Sequence, residues 1–435
     1  MAKLAVVICL FLLLPLTSYG IDNPDPAVNQ SVRIVMDDKD VIPDSYLDEP
    51  IDVTCHAPGD TIGQTTYDWW SNGPAKRLIT VPSDGGPCIQ VIWDASDEPK
   101  PWVMKGTKYN GYHTIMEYWV YWSGMGGGTW VNTKSGAGTI DENSRDRGSI
   151  SMQTELPTDY VSSVAIDLLP CEGRFIPVHC PTAAPDTFIY PRLAIDGDGV
   201  FHVFSRSQMG RHRLEYTSSK SGWVYGSWAE LDTLGYGWHN ATASKQSPTV
   251  AAIYSVAGDS AWQPTDRHNS LVIYESFDSG STFTKKTILK DLLEPTDTLN
   301  CMLWGGNGLY DGRDSIHVVT VATKPADLGE YYPLAACNLW HYTPELGLTV
   351  VSSYPWMYDP PAFDGVDGIY GNNQLIHMPS IGYDPETGYF YVLWVEFPWY
   401  EEQGGFQCGE LFVRRSTDWG QTCSFKMDMT NTHNE

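Results

Sequence analysis

The chain has 435 residues, with 27 Lys and Arg set against 53 Asp and Glu, for a formal charge of −26. So acidic a surface repels phosphate backbones, which argues against nucleic acid as a partner and is ordinary for a protein kept dispersed by its charge. Aromatic residues make up 13% of the chain, Gly (40) and Pro (29) are plentiful and long amphipathic helical patterns are lacking, so an all-β protein with many turns is expected.

Lys3, the apolar run Leu4 to Leu16 and the small-residue end Ser18-Tyr19-Gly20 have the layout of a secretory signal peptide, with cleavage expected after Gly20. The apolar run is short for a membrane span, and no later stretch is long enough for one. Cys9 lies inside the run rather than at its end, which argues against a bacterial lipid anchor. Residues 1–20 are therefore expected to be a signal peptide and the rest to be secreted, extracellular or periplasmic. Residues 21–60 follow as an acidic, Pro-rich leader: Asp22, Pro24, Asp25, Pro26, Asp37, Asp38, Asp40, Pro43 and Asp44 leave room for one short strand, Ser31 to Met36. Asn29-Gln30-Ser31 and Asn240-Ala241-Thr242 are glycosylation sequons.

Residues 61–428 read as one repeating unit. Each copy opens with a short apolar strand, a turn holding Asp or Gly, and a second apolar strand. The clearest runs from Tyr190-Pro191-Arg192-Leu193 through Asp196-Gly197-Asp198-Gly199 to Phe201-His202-Val203-Phe204, and another from Met378-Pro379-Ser380-Ile381 to Phe390-Tyr391-Val392. Others begin at Arg77, Ser163, Ser247 and Gly308. Six copies spaced by roughly 60 residues match the size of four-stranded blades, which cannot bury both faces alone and must stack into a ring. Thr61 to Trp70 is the candidate strand to close that ring, and residues 429–435 form a polar tail.

Within one copy, Ser276-Phe277-Asp278-Ser279-Gly280-Ser281-Thr282-Phe283 lies between two strand-like runs. Ser276 and Asp278 can fix the loop through backbone N–H groups, Gly280 can take a positive φ, Thr282 returns the chain to strand and Phe283 anchors it. The pattern recurs at Ser416, Asp418, Gly420 and Thr422, with degraded echoes at 123–130 and 218–223. This S-x-D-x-G-x-T pattern resembles the Asp-box (BNR repeat) of sialidase-like β-propellers. The resemblance implies a ring of six four-stranded antiparallel blades, with the box as a structural turn on the outer part of a blade. A monomer is expected.

Removal of the signal peptide would leave eight of the nine cysteines, an even number that suggests disulfides in an exported chain. Neighbour pairing would join Cys171 to Cys180, Cys301 to Cys337 and Cys408 to Cys423, each within one blade, and leave Cys55 with Cys88. A zinc site at His179-Cys180 is the rival reading, but no Cys-x-x-Cys is present and no metal or other cofactor is expected.

The sialidase resemblance further implies an Arg-Ile-Pro motif whose Arg clamps a substrate carboxylate. The Arg position before Pro191, Pro248 and Pro379 holds Ile189, Gln246 and His377, so the motif is absent there. Arg77 and Arg192 share one repeat position at the start of an inner strand and are candidates for ligand binding in the central channel, or else rim ion pairs. His202 and His317 share another; Gln90 and Tyr391 fill the matching positions, which suggests a polar slot. Asp196-Gly197-Asp198-Gly199 lacks the spaced ligands of a calcium loop and reads as a hairpin turn. Dense aromatics at Trp69-Trp70, Trp119 to Trp122 and Phe397 to Tyr400 can pack blades or stack on sugars. The expected function is a secreted, sialidase-like, non-catalytic propeller binding an extracellular glycan or surface protein at the channel mouth. The alternative is a glycoside hydrolase or lyase with a different site, which a pair of facing carboxylates in the funnel would favour.

Overall fold

The structure is a computed structural model and describes residues 62, 76–82, 86–96, 106–121, 128–133, 135–157, 159–182, 186–207, 213–233, 239–256, 270–287, 306–323, 337–354, 376–396, 402–403, 406–407 and 409–430. The signal peptide, the leader, most of Thr61 to Trp70, the echo at 123–127, Phe397 to Tyr400, and Cys55, Cys301 and Cys408 lie outside these residues.

Blade 1 contains β1 (Ile79–Thr80), β2 (Cys88–Ala95), β3 (Gly106–His113) and β4 (Tyr118–Trp119), with β5 (Thr129–Asn132) also paired to β3. Blade 2 contains β6 (Ser135–Glu142), β7 (Gly148–Glu155), β8 (Tyr160–Asp167) and β9 (Phe175–His179). Blade 3 contains β10 (Phe188–Ile195), β11 (Phe201–Ser207), β12 (Leu214–Ser219) and β13 (Ala229–Asp232). Blade 4 contains β14 (His239–Ala243), β15 (Val250–Val256), β16 (Ser270–Ser276) and β17 (Thr284–Thr287). Blade 5 contains β18 (Gly306–Tyr310), β19 (Ile316–Thr323), β20 (Cys337–Thr343) and β21 (Gly347–Tyr354). Blade 6 contains β22 (Ile376–Asp384), β23 (Tyr389–Glu396), β26 (Glu410–Ser416) and β27 (Met427–Asp428), with β24 (Glu402–Gln403) and β25 (Phe406–Gln407) as a small ribbon inserted before β26. All pairings are antiparallel, and the six sheets form a six-blade β-propeller without helices among the described residues.

The first strands of successive blades pack on one another, so they lie at the axis, and each blade is contiguous in sequence. The described strands of blade 6 all come from 376–428, its fourth being β27, so Thr61 to Trp70 is not needed to complete that sheet. The hydrophobic core is divided among the gaps between blades. Ala194, Phe204 and Tyr216 meet Ala252, Tyr254 and Tyr274 between blades 3 and 4, and Val319, Leu339 and Val351 meet Val392, Trp394 and Phe412 between blades 5 and 6. Second strands are sandwiched on both faces, which explains their near-continuous apolar runs such as Val-Ala-Ala-Ile-Tyr.

Two expectations are corrected. The copy placed at Ser163 is the third strand of blade 2, whose inner strand is β6; the copy at Ser247 leads into the second strand of blade 4, whose inner strand is β14. Cys88 bonds Cys171, with 5.7 Å between Cα atoms, while Cys180, Cys337 and Cys423 carry free thiols. This overturns all four neighbour pairings, Cys171–Cys180, Cys301–Cys337, Cys408–Cys423 and Cys55–Cys88: the bridge staples the start of β2 to the turn that follows β8, joining blade 1 to blade 2 rather than two strands of one blade. No described helix is long and apolar enough to cross a membrane.

Candidate functional site

The side chains singled out by repeat position are engaged between strands and blades. His202, fully buried on β11, meets Asp196 Oδ2 through Nε2 at 3.0 Å and the Tyr216 hydroxyl through Nδ1 at 2.8 Å. His317 repeats this on β19, with Nε2 3.4 Å from Asp311 Oδ2 and Nδ1 2.9 Å from His341 Nε2. Gln90, at the matching place on β2, accepts a hydrogen bond from the Tyr109 hydroxyl at 3.1 Å. The slot thus ties the second strand to the third, and both histidines also reach the turn that precedes them. Burial pushes His317 down to about 4 and His341 down to about 3, so both are neutral near pH 7.

The S-x-D-x-G-x-T turns lock onto these slots. Ser276 Oγ accepts from Gly280 N and donates to Asp278 Oδ1, both at 2.8 Å, and Asp278 accepts from Thr282 N and Oγ1 at 2.8 Å. Ser416, Asp418, Gly420 and Thr422 repeat the pattern. Ser279 Oγ of blade 4 then donates to Asp196 Oδ2 of blade 3 at 2.8 Å, and Thr349 Oγ1 of blade 5 donates to the Gly420 carbonyl of blade 6 at 3.1 Å. Phe283 packs on Tyr216 with ring centroids 4.9 Å apart.

Arg77 and Arg192 sit near the axis, engaged with neighbouring blades. Arg77 pairs with Asp141 at 2.9 Å and donates to the Ile140 and Leu193 carbonyls at 2.9 and 3.1 Å, so one guanidinium links blades 1, 2 and 3. Lys245 of blade 4 reaches the same carboxylate at 2.8 Å. Burial pulls the Asp141 carboxyl upward, but Arg77 and Lys245 outweigh it and hold the group below the usual range. Arg192 is 1% exposed; its Nε donates to the His239 carbonyl at 3.2 Å and its Nη1 to the Pro191 carbonyl at 3.1 Å. Burial lowers it to about 10 against the opposing pull of Asp94.

A group of side chains that repeat position does not single out gathers above Arg192, at the face where the inner strands begin. β10 carries a bulge: Ile189 pairs with Arg206, and the register then shifts to Arg192. Tyr190 occupies the extra position with φ of 55°, a left-handed conformation costly for a bulky residue and usually kept where surroundings impose it. Its amide donates to Gln153 Oε1 of β7 at 3.4 Å, and the Arg206 guanidinium of β11 lies 4.9 Å over its ring. Gln153, Tyr190 and Arg206 are partly exposed. Behind them lie buried His239 and Tyr254, ring centroids 6.4 Å apart. Burial, then the charge of Arg192, pushes the His239 imidazole down to about 3, so it is a neutral wall. Burial also pushes the Tyr254 hydroxyl up, with the Asp232 charge acting the same way. The carboxylates whose charges reach Arg192 and Tyr254 are held by cations: Asp94 lies 3.8 Å from Lys76, and Asp232 lies 2.9 Å from Lys285 and accepts from the Tyr274 hydroxyl. A guanidinium over an aromatic face beside an amide side chain suits a carboxylate carried on a sugar ring. The sequence holds one signal for this group: a proline after a bulky residue inside a strand marks a bulge. Met378-Pro379 on β22 repeats it, with φ of 49° at Met378.

No protein-family model matches the chain, and no curated protein matches it. Among solved structures, a PL25 polysaccharide lyase, an ulvan lyase bound to -[GlcA(1-4)Rha3S]-, is similar with a TM-score of 0.50 and 13% identity, over 82% of this chain and 86% of that one. A second structure of a PL25 ulvan lyase gives 0.50 and 12% over the same shares. The BP39L lectin of Burkholderia pseudomallei gives 0.47 and 10%, over 81% and 83%. At these identities the likeness shows the fold alone.

Proposed function

We propose that this chain binds a uronate-bearing polysaccharide at the Tyr190–Arg206 end of blade 3 and cleaves it by β-elimination. The observation that carries this reading is the Arg206 guanidinium over the ring of a tyrosine held at positive φ beside Gln153. Arg206 and Gln153 take the uronate carboxylate, and neutralising that charge makes the adjacent C5 proton more acidic. With Tyr190 in its phenolate form, its oxygen takes the C5 proton, the C5 electron pair forms the C4=C5 double bond as the C4–O4 bond breaks, and the same tyrosine then returns the proton to the departing O4, which regenerates the phenolate. A hydrolase would need two carboxyl groups about 5–9.5 Å apart across the bond, whereas Asp94 and Asp232 are occupied by lysines. The PL25 lyase supports the reading as a precedent for uronate chemistry on this fold.

The second reading is the non-catalytic, sialidase-like module that binds glycan or protein at the same mouth. The two S-x-D-x-G-x-T turns favour it, taken as Asp-boxes of that superfamily. In either reading residues 1–20 direct export, 21–60 form a leader and 61–428 form the ring; the Cys88–Cys171 bridge fits an oxidising compartment outside the cell. The test is incubation of the purified chain with ulvan, polygalacturonate, alginate and neutral dextran, following the ultraviolet absorbance of the new double bond. Turnover on at least one uronate polymer is expected, with Tyr190→Phe lowering kcat by about 100-fold or more. Binding without absorbance change would establish the second reading, and neither binding nor turnover would remove both.

A further inference from the structure

The opposite face of the ring, which carries the tight turns, holds a cavity of about 340 Å³ between blades 2 and 3. One wall is the 143–147 turn joining β6 to β7, and the other is the 220–223 turn joining β12 to β13. Arg145, Arg147 and Lys220 all line it, with Trp223 beside them and Ile166 and Phe201 as its apolar part. The volume falls within the range of small-ligand sites, about 300–1,000 Å³.

Charge pairing makes this cavity unusual for so acidic a chain. Arg213 has three carboxylate partners within 3.3 Å, and Lys245, Lys285, Lys286 and Lys426 each hold one within 2.9 Å. Among the described residues, Arg145, Arg147 and Lys220 hold none, although the chain has nearly two acids for every base. Arg147 Nε is moreover buried without a hydrogen-bond partner. The neighbouring acids do not line the cavity: the Asp146 carboxyl turns toward Gly86 of blade 1, and Asp198 lies in the turn beyond Gly199. Trp223 is 43% exposed, so a large flat ring stands in water beside three unspent cations.

We propose that this cavity is a second glycan site, one that takes an anionic sugar residue, sulfated or uronic, of a polysaccharide chain. The cations receive the acid group through charge-assisted hydrogen bonds, and the indole stacks on the sugar face. It lies across the ring from the Tyr190–Arg206 end and does not depend on any chemistry there; its role is to hold polymer.

The test is affinity electrophoresis through gels containing dextran sulfate, polygalacturonate or neutral dextran, in the Tyr190→Phe/Arg206→Ala background, where the opposite site is silenced. Retardation by at least one acidic polymer and none by neutral dextran is expected. Arg145→Ala/Arg147→Ala/Lys220→Ala should weaken it by ~10-fold or more, and Trp223→Ala by ~5-fold, at ~1.4 kcal/mol per tenfold. Arg145→Lys/Arg147→Lys, which keeps both charges, should retain most of it, and circular dichroism checks that every variant is folded. Unchanged retardation in the triple or the Trp223 variant would overturn the proposal. So would displacement by inorganic sulfate at an equal concentration of sulfate groups, since the site would then hold a bare anion rather than a sugar.

Discussion

Gly280 shows how much a single position can bear in this fold. Its φ is +80°, and a Cβ there would run into the Tyr216 hydroxyl, which is itself bonded to His202 Nδ1 at 2.8 Å. Gly347 has φ of +69°, but a methyl added there would meet nothing within 4 Å, so the two separate backbone strain from collision. Gly347→Ala should cost about 1–2 kcal/mol, the left-handed penalty alone. Gly280→Ala should cost more than that, roughly 3 kcal/mol or above, because the blade 3–blade 4 contact must also shift. Urea unfolding measures both, and equal losses would show that the turn does not clamp the blades. The turn is legible in the sequence because its bonds close within eight residues. Tyr190, Arg206 and Gln153 are not legible as a group, because they meet only when three strands of two blades come together.

At the scale of strands and blades, periodic apolar runs reveal the second strands but not every inner one. β6, Ser-Gly-Ala-Gly-Thr-Ile-Asp-Glu, is small and polar; its Thr139 donates a hydrogen bond to the Leu193 carbonyl, as Ser151 of the paired β7 does to the Pro191 carbonyl. An apolar search therefore passes over it and stops at β8, which explains the short spacing between the second and third copies. Cysteine pairing is hidden for a related reason: neighbours in sequence lie within one blade, while Cys88–Cys171 crosses between two, 83 residues apart. Closing a loop of that size removes much unfolded-state entropy. Cys88→Ala/Cys171→Ala should lower unfolding stability by about 2–5 kcal/mol. The loss should appear in the denaturation midpoint, and reductant should lower the wild-type midpoint while leaving the double variant's unchanged. A variant as stable as wild type would make the bridge incidental to the blade 1–blade 2 junction.

For the molecule as a whole, buried titratable groups set opposing pH limits. Burial pushes His239 and His341 down to about 3 and His317 and His377 down to about 4. Unfolded, such groups bind a proton near 6.5. Between those values the unfolded chain holds more protons, so stability falls as pH drops below about 6.5. Glu142 and Glu215 act the other way. Burial raises them to about 8 and about 7, with Asp146 reinforcing the first and Arg213 opposing the second. Native, they stay protonated where the unfolded chain has already ionised, so their contribution falls as pH rises from about 4.5 and levels off above their native values. His317 and His341 share one hydrogen bond and titrate as a pair in two steps, so both add to the loss on the acid side. The histidines still outweigh the two carboxyls below 6.5, and above it only the carboxyls change. Stability should therefore peak near pH 6.5 and decline on both sides, by about 1 kcal/mol per pH unit for each uncompensated group. The formal charge of −26 adds a self-repulsion that salt screens, whereas the Glu142 effect is buried and salt hardly touches it. Urea midpoints taken across this range at fixed high salt isolate the buried groups. Glu142→Gln should flatten the decline between about pH 7 and 8, since its amide has no proton to lose. A wild-type curve still rising through that window, or an unaltered decline in Glu142→Gln, would show that Glu142 ionises freely beside Lys245 and that the alkaline limit lies elsewhere.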